Sequence, residues 1–169
     1  MLAALVGPTA VGKTELSLEL ALRLQAEIVS ADSMQVYRGM DIGTAKPTWR
    51  DRERVRHHAI DVVDPSCPFS VADYERVARE ALAEIRSRGR LPLLVGGTGL
   101  YVRAVVDGLG LSAPGPDWRL REELSRWADE RGNHALHARL AEVDPITAQR
   151  LHPNDRRRVI RALEVYELS

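Results

Sequence analysis

Gly7-Pro8-Thr9-Ala10-Val11-Gly12-Lys13-Thr14 is the stretch that decides the fold of this chain. It matches G-x-x-x-x-G-K-[ST] without a gap, the pattern of a loop that wraps phosphate. Such a loop turns successive backbone N–H groups inward around phosphate oxygens, and its glycines permit the curvature and the close approach. A helix opening at Gly12 and Lys13 adds its positive end. Lys13 then reaches the outer phosphates as a point charge, and the Thr14 hydroxyl is placed to bind Mg2+. The flanks agree with this reading. Leu2 to Val6 is a short apolar run, expected as a strand covered on both faces. From Lys13 to Leu24 the residues Leu16, Leu20 and Leu24 recur every four positions, with Leu18 and Ala21 beside them, which predicts a helix packed back on the sheet. A glycine-rich turn with a surface lysine would leave both flanks unexplained.

Further along, Glu27 to Ser30 reads as a second strand and His58 to Val62 as a third, closed by Asp64-Pro65. Ser70 caps a helix with Asp73 at its third position, and that helix runs to about Ser87 before Gly89 stops it. Leu91 to Val95 is the clearest strand and enters Gly96-Gly97-Thr98-Gly99. Another helix starts near Thr98 and ends before Gly108. This alternation predicts an α/β fold, a P-loop-containing parallel sheet with crossover helices. Glycines directly after the first and fourth strands put two ligand-facing loops at one sheet edge. Gly110 to Pro116 reads as a linker. Beyond it, Asp117 to Arg131, Asn133 to Glu142 and Pro145 to Leu151 predict an inserted small all-helical subdomain with an apolar stripe of Trp118, Leu120, Leu124 and Trp127. A last helix, from about Asn154 to Leu168, is expected to turn Val159, Leu163 and Tyr166 inward. The expected domains are an α/β core over 1–110, a helical insertion over 111–151, and a helix returning to the core over 152–169.

With 169 residues the chain has material for one core and a small satellite. Its 24 basic and 24 acidic residues cancel, which excludes whole-molecule attraction to nucleic acid but leaves local patches open. Two clusters are arginine-rich: Arg50, Arg52, Arg54 and Arg56 ahead of His57 and His58, and Arg156, Arg157, Arg158 and Arg161. Acids dilute both, so the plain reading of each is a solvated face. The single cysteine, Cys67, excludes an internal disulfide and a cysteine-based metal cluster. Met1 to Val6 is too short for a signal peptide and lacks its basic start. No apolar run approaches the roughly 18 residues that cross a membrane. A cytoplasmic protein with no membrane partner is expected.

The phosphate loop does not name a reaction. An NTPase would favour an apolar strand ending in aspartate to organise magnesium and water, and Ala59 to Asp64 is a poor version of one. Asp32 follows the second strand and therefore belongs at the phosphate edge. A carboxylate there can orient a hydroxyl or amine, take its proton, or reach the metal shell. The alternative is a structural aspartate capping the next turn.

Four blocks in order carry a resemblance. The phosphate loop, SADSMQVYRGMDIGTAKP (Ser30 to Pro47), LPLLVGGTGLYVRAVVDGL (Leu91 to Leu109) and LHPNDRRRVIRALEVY (Leu151 to Tyr166) resemble the successive signatures of bacterial tRNA dimethylallyltransferases. The resemblance implies transfer of a dimethylallyl group from dimethylallyl diphosphate to N6 of the adenosine just 3′ of the anticodon. It implies that Gly7, Thr9, Ala10, Gly12, Lys13 and Thr14 hold the donor's diphosphate rather than ATP, with Thr14 on Mg2+. Asp32 becomes the general base, and Thr98 lies near the donor or the attacking amine. Ser33, Gln35, Tyr37, Asp41 and Lys46 shape the adenosine pocket and border the anticodon loop, while Arg156 and Arg161 face RNA or diphosphate. The helical insertion is expected to grip the tRNA anticodon stem-loop. Family members run close to twice this length, and their later part supplies further strands and a diphosphate-binding arginine. Self-association through an exposed sheet edge is therefore expected of this chain. Two other readings stay open: a P-loop kinase of a nucleoside or small metabolite, and a chain that binds RNA or a partner without chemistry.

Overall fold

A computed structural model describes residues 1–8, 10–108 and 115–169. In chain order the elements are β1 (Ala3–Val6), α1 (Lys13–Arg23), β2 (Ala26–Ala31), α2 (Trp49–Arg54), β3 (His57–His58), α3 (Val71–Ser87), β4 (Leu91–Gly96), α4 (Gly99–Val106), α5 (Trp118–Arg131), α6 (Asn133–Val143), α7 (Pro145–Arg150) and α8 (Arg156–Leu168). They divide into two units, Met1–Gly110 and Leu111–Ser169. The expected linker falls largely outside the described residues.

In the first unit the strands form one sheet in the order β1-β4-β2-β3, with every pair parallel. All six residues of β2 are buried, as a central parallel strand requires. Alternation along β2 and β4 sends side chains to two cores. Val29, Ala31 and Leu94 meet Tyr74, Ala78, Leu82 and Ile85 of α3 and Tyr101 and Val105 of α4. Ala26, Ile28 and Leu93 meet Leu18 and Ala21 of α1. Helices thus cover both faces, the doubly wound arrangement. β1 is a sheet edge, and its Ala4 and Val6 are exposed.

The register sets the site. Val6 pairs with Gly96, and Gly96 in turn lies beside Ala31. The loops that begin at Gly7, Asp32 and Gly97 therefore leave the same rung of the sheet. Only glycine fits at position 96, where a Cβ would stand 2.2 Å from the Ala31 carbonyl oxygen.

Two local expectations are corrected, and one element is added. On α1 the buried side chains are Ser17, Leu18 and Ala21, whereas Leu16 and Leu24 are about half exposed. A four-residue repeat drifts around a helix of 3.6 residues per turn, so that row is not one face. β3 is only His57–His58, because Ala59 and Asp61 take left-handed backbone conformations (φ 59° and 55°) that end the extended run. A short α2 stands where sequence showed only an arginine cluster. Thr48 and Asp51 form a reciprocal capping box there, yet no residue of α2 is buried.

The second unit is all helical. Leu124 and Ala128 of α5, Leu136 and Leu140 of α6, Ala148 of α7, and Val159, Ile160 and Leu163 of α8 share one core. The helix expected over 152–169 as returning to the core is α8, which supplies three buried residues to the helical core and groups with that unit. Tyr166, expected inward, is exposed, and Ile160 is buried instead. Trp118 leaves the expected stripe; it is 47% exposed, with the Arg121 guanidinium 4.9 Å above its ring.

Candidate functional site

The loop after β1 and the start of α1 form one wall of a cleft of about 140 Å3 at the C-terminal edge of the sheet. Ala10, Gly12, Lys13 and Thr14 line that wall, with Gly96 and Gly97 at its base. Gly12 sits at φ 79°, a left-handed conformation that glycine adopts without strain, and it delivers the chain into α1. Ala10 adopts φ 66° without that freedom, so the loop holds a bend that costs on the order of 1 kcal/mol or more. The first-turn N–H groups of α1 have no side-chain cap at Gly12, which leaves them for a ligand. Lys13 Nζ donates to the Pro8 carbonyl and braces the loop. Gly7 N donates to the Gly96 carbonyl at 3.4 Å, tying the loop to β4. Thr9 lies outside the described residues.

The opposite wall carries the acid and amide groups. Asp32, Ser30 and Gln35 line the cleft together with the phosphate loop. Asp32 Oδ1 accepts from the Met34 N–H at 2.8 Å, so the turn itself aims this carboxylate. The capping role weighed for Asp32 is therefore real, and it leaves the second oxygen for the cleft. Thr98 N donates to the Ala31 carbonyl at 3.1 Å, and Thr98 Oγ1 accepts from Ser33 N at 3.0 Å. The Thr98 hydroxyl also donates to Ser33 Oγ at 3.4 Å. Thr98 thus holds the Asp32 turn in place, and neither it nor Ser33 is among the residues lining the cleft. Beneath the turn, Tyr74 Oη donates to the Ser30 carbonyl at 2.9 Å and stacks on Tyr101 at a centroid distance of 3.8 Å. Burial, with Tyr37, Asp73 and Asp32 nearby, pushes the Tyr101 phenol up to about 12, so it stays protonated.

Several expected ligand-facing residues turn inward instead. Gln35 Oε1 accepts from Ser30 Oγ, and its amide N–H groups reach the Thr44 and Ala45 carbonyls at 3.2 and 3.1 Å. It lines the cleft and also holds the cleft's Ala45–Pro47 rim. Lys46 is buried, its Nζ donating at 2.8 Å to the Tyr37 carbonyl, Asp41 Oδ1 and Asp61 Oδ1. Burial opposes its charge, but the two carboxylates outweigh that and hold its pKa above the ordinary lysine value. Tyr37 is packed against the core through its side chain. Asp61, within the Ala59 to Asp64 stretch set against an NTPase strand, is occupied by Lys46 and Arg52. Arg156 bonds Asp129 and Ser125, and Arg161 pairs with the buried Glu164, all within the helical unit.

Sequence reading did not find Ser17, Ile28, Ala45, Pro47 or His57 in the cleft. His57 Nδ1 lies 2.7 Å from the Val55 carbonyl and so carries the proton there. Burial lowers its pKa, which favours the neutral ring. No motif marks His57, because its place follows from the β2–β3 register, Ile28 beside His57.

The donor set suits Mg2+ in one respect. Thr14 is a cleft residue whose hydroxyl has no hydrogen-bond partner among the described residues, and Mg2+ bound to phosphates commonly takes few protein ligands. Among the described residues there is no cluster of three histidine, cysteine or acidic side chains to hold a metal independently. No helix among them is long and apolar enough to cross a membrane.

Comparison with known proteins agrees with the geometry. A family model described as IPP transferase matches residues 35–169, and one described as isopentenyl transferase matches 1–63. The chain is 61% identical to a tRNA dimethylallyltransferase of Roseiflexus castenholzii, covering 99% of this chain and 55% of that relative. It is 56% identical to the tRNA dimethylallyltransferase of Heliobacterium modesticaldum over 98% of this chain and 52% of that one. Among solved structures, the full-length tRNA isopentenylpyrophosphate transferase of Bacillus halodurans matches with a TM-score of 0.65 at 54% identity, over 99% of this chain and 55% of that chain. A eukaryotic dimethylallyltransferase described as acting on tRNA matches with a TM-score of 0.79 at 33% identity, over 98% and 41%. The chain spans about half the length of the curated relatives it matches. It belongs to the IPP transferase family.

Proposed function

We propose that this member of the IPP transferase family moves a dimethylallyl group from dimethylallyl diphosphate to N6 of the adenosine 3′-adjacent to the anticodon of tRNA. One observation carries the reading: the phosphate loop and Asp32 line a single cleft. A diphosphate held by Gly12, Lys13, Thr14 and the N-terminal N–H groups of α1 turns its allylic carbon toward the other wall. The amine nitrogen forms a bond to that carbon while the carbon–oxygen bond to diphosphate breaks. Lys13 and the loop N–H groups stabilise the charge gathering on the leaving group. Asp32, aimed by its turn, takes the proton released from N6. Thr98 acts as a positioning residue, since it fixes Ser33 and through it the Asp32 turn. Mg2+ bound at Thr14 would supply further neutralisation of diphosphate. The target base enters from a loop, where extruding it is cheaper than from a duplex. The reading also places the protein in the cytoplasm, with the helical unit as its grip on the anticodon stem-loop.

The test is transfer of labelled dimethylallyl to an anticodon stem-loop carrying adenosine at the target position, with Mg2+ present. Product is expected from the parent chain, reduced roughly 100-fold or more in Lys13→Ala and in Asp32→Ala. A folded parent chain that makes no product sinks the claim for this chain. Phosphoryl transfer from ATP to a nucleoside would replace it with the kinase reading.

A further inference from the structure

Trp49 is 74% exposed, so most of its large aromatic surface adds nothing to the fold. Its base is nevertheless rigid. It follows Thr48, whose side chain and backbone are locked to Asp51 by the capping box. Arg52 Nε donates to the Pro47 carbonyl at 3.1 Å, and Lys46, just before Pro47, is buried and held by Asp41 and Asp61. The indole stands on this base at the rim of a second depression, about 330 Å3, which it shares with Asp41, Lys46, Pro47, Thr48, Arg52 and Asp61. That volume is at the lower end for a small-ligand pocket. Pro47 also lines the cleft, and Trp49 lies two positions further along the chain, no more than about 7 Å between Cα atoms.

The charges of the depression answer one another. Lys46 pairs with Asp41 and Asp61, and Arg52 with Asp61. With two cations against two carboxylates, the floor has no excess charge to attract phosphate. What remains for a ligand is the indole face, which suits a flat, uncharged aromatic group. We propose that Trp49 is a stacking platform for an unpaired nucleobase next to the target adenosine in the RNA acceptor. The inference rests on the acceptor proposed above. Turning the adenosine into the cleft unstacks its neighbour, and the indole one short step away replaces the lost partner.

The chain contains three tryptophans, so Trp118→Phe with Trp127→Phe leaves Trp49 as the only one. Its emission is expected to quench on adding the anticodon stem-loop. Trp49→Ala should weaken stem-loop binding roughly 5- to 150-fold, and Trp49→Tyr should retain most of it. Replacing the base beside the adenosine by an abasic residue should give the same loss, with no further loss when combined with Trp49→Ala. Binding of inorganic diphosphate should change less than twofold in every variant, which controls for folding. Stem-loop affinity and Trp49 emission that both ignore these changes overturn the platform and leave the proposed reaction standing. No affinity of the parent chain for the stem-loop overturns both.

Discussion

Three basic side chains converge on Glu27. Arg88 binds it with a fork, Nε to Oε1 at 3.0 Å and Nη2 to Oε2 at 2.7 Å, while His58 Nε2 lies 2.8 Å from Oε2 and Arg56 stands 4.0 Å away. The Arg88 bonds come first in holding the carboxyl down; burial opposes them, His58 assists, and the pKa falls to about 2. A depressed folded-state value stabilises the fold above the unfolded pKa, near 4.5, and that contribution is lost as pH falls toward 2. Denaturant midpoints of the parent chain should therefore drop between pH 5 and 2.5, and Glu27→Gln should flatten part of that slope. At pH 7 the same variant is expected to cost about 2 kcal/mol, the scale of a charged hydrogen bond. A slope unaltered by the substitution would assign the acid sensitivity to other carboxylates. Lys46 teaches the complementary lesson about legibility. Its sequence block placed it at the acceptor pocket, yet its charge is spent on Asp61, fifteen residues away. Asp61 sits in a left-handed turn after β3, with φ 55°, and no local pattern announces that turn.

At the scale of elements, legibility follows how local the cause is. Ser70 and Asp73 cap α3 in both directions, and an amphipathic run follows them, so the helix start is readable from sequence. Thr48 and Asp51 form the same box at α2, but no buried stripe follows, and the segment reads only as a solvated charged face. The phosphate loop and Asp32 share one sheet edge because each is covalently joined to the end of a strand; parallel register then brings those ends together. His57 and the Ala45–Pro47 rim enter through tertiary bonds from Gln35 and through strand pairing, which sequence spacing does not encode. Ser70→Ala removes the N-terminal cap of α3, and Ser70 does not line the cleft. It should lower unfolding free energy by about 1 kcal/mol, read from denaturant curves, and leave diphosphate affinity within twofold. A larger loss of affinity than of stability would mean that α3 sets the cleft through the Tyr74 bond to Ser30.

The whole molecule contains separate apolar cores, and the helical one is built around a charge. Glu164 is fully buried, accepting from Arg121 Nε and Nη2 at 2.8 Å each, from Asp117 N at 2.7 Å, and from Arg161. Burial raises the carboxyl pKa, the two arginines and the Asp117 N–H outweigh it, and the group stays ionised below its usual range. These bonds tie α8 to the first turn of α5 and to its cap, which is why a terminal helix joins the helical unit. Glu164→Ala strands Arg121 over a buried void and is expected to destabilise that unit by roughly 3–5 kcal/mol. The sheet unit has a core of its own, with Val29, Tyr74, Ile85 and Leu94 among its members. Calorimetry of the variant should then show a low-temperature transition absent from the parent, while diphosphate binding by the phosphate loop persists within twofold below the main transition. If the stem-loop is gripped by the helical unit, RNA affinity should fall with that first transition rather than the second. Loss of diphosphate binding at the first transition would mean that the cleft depends on the helical core, and that 111–169 serves the fold of the site rather than its choice of RNA.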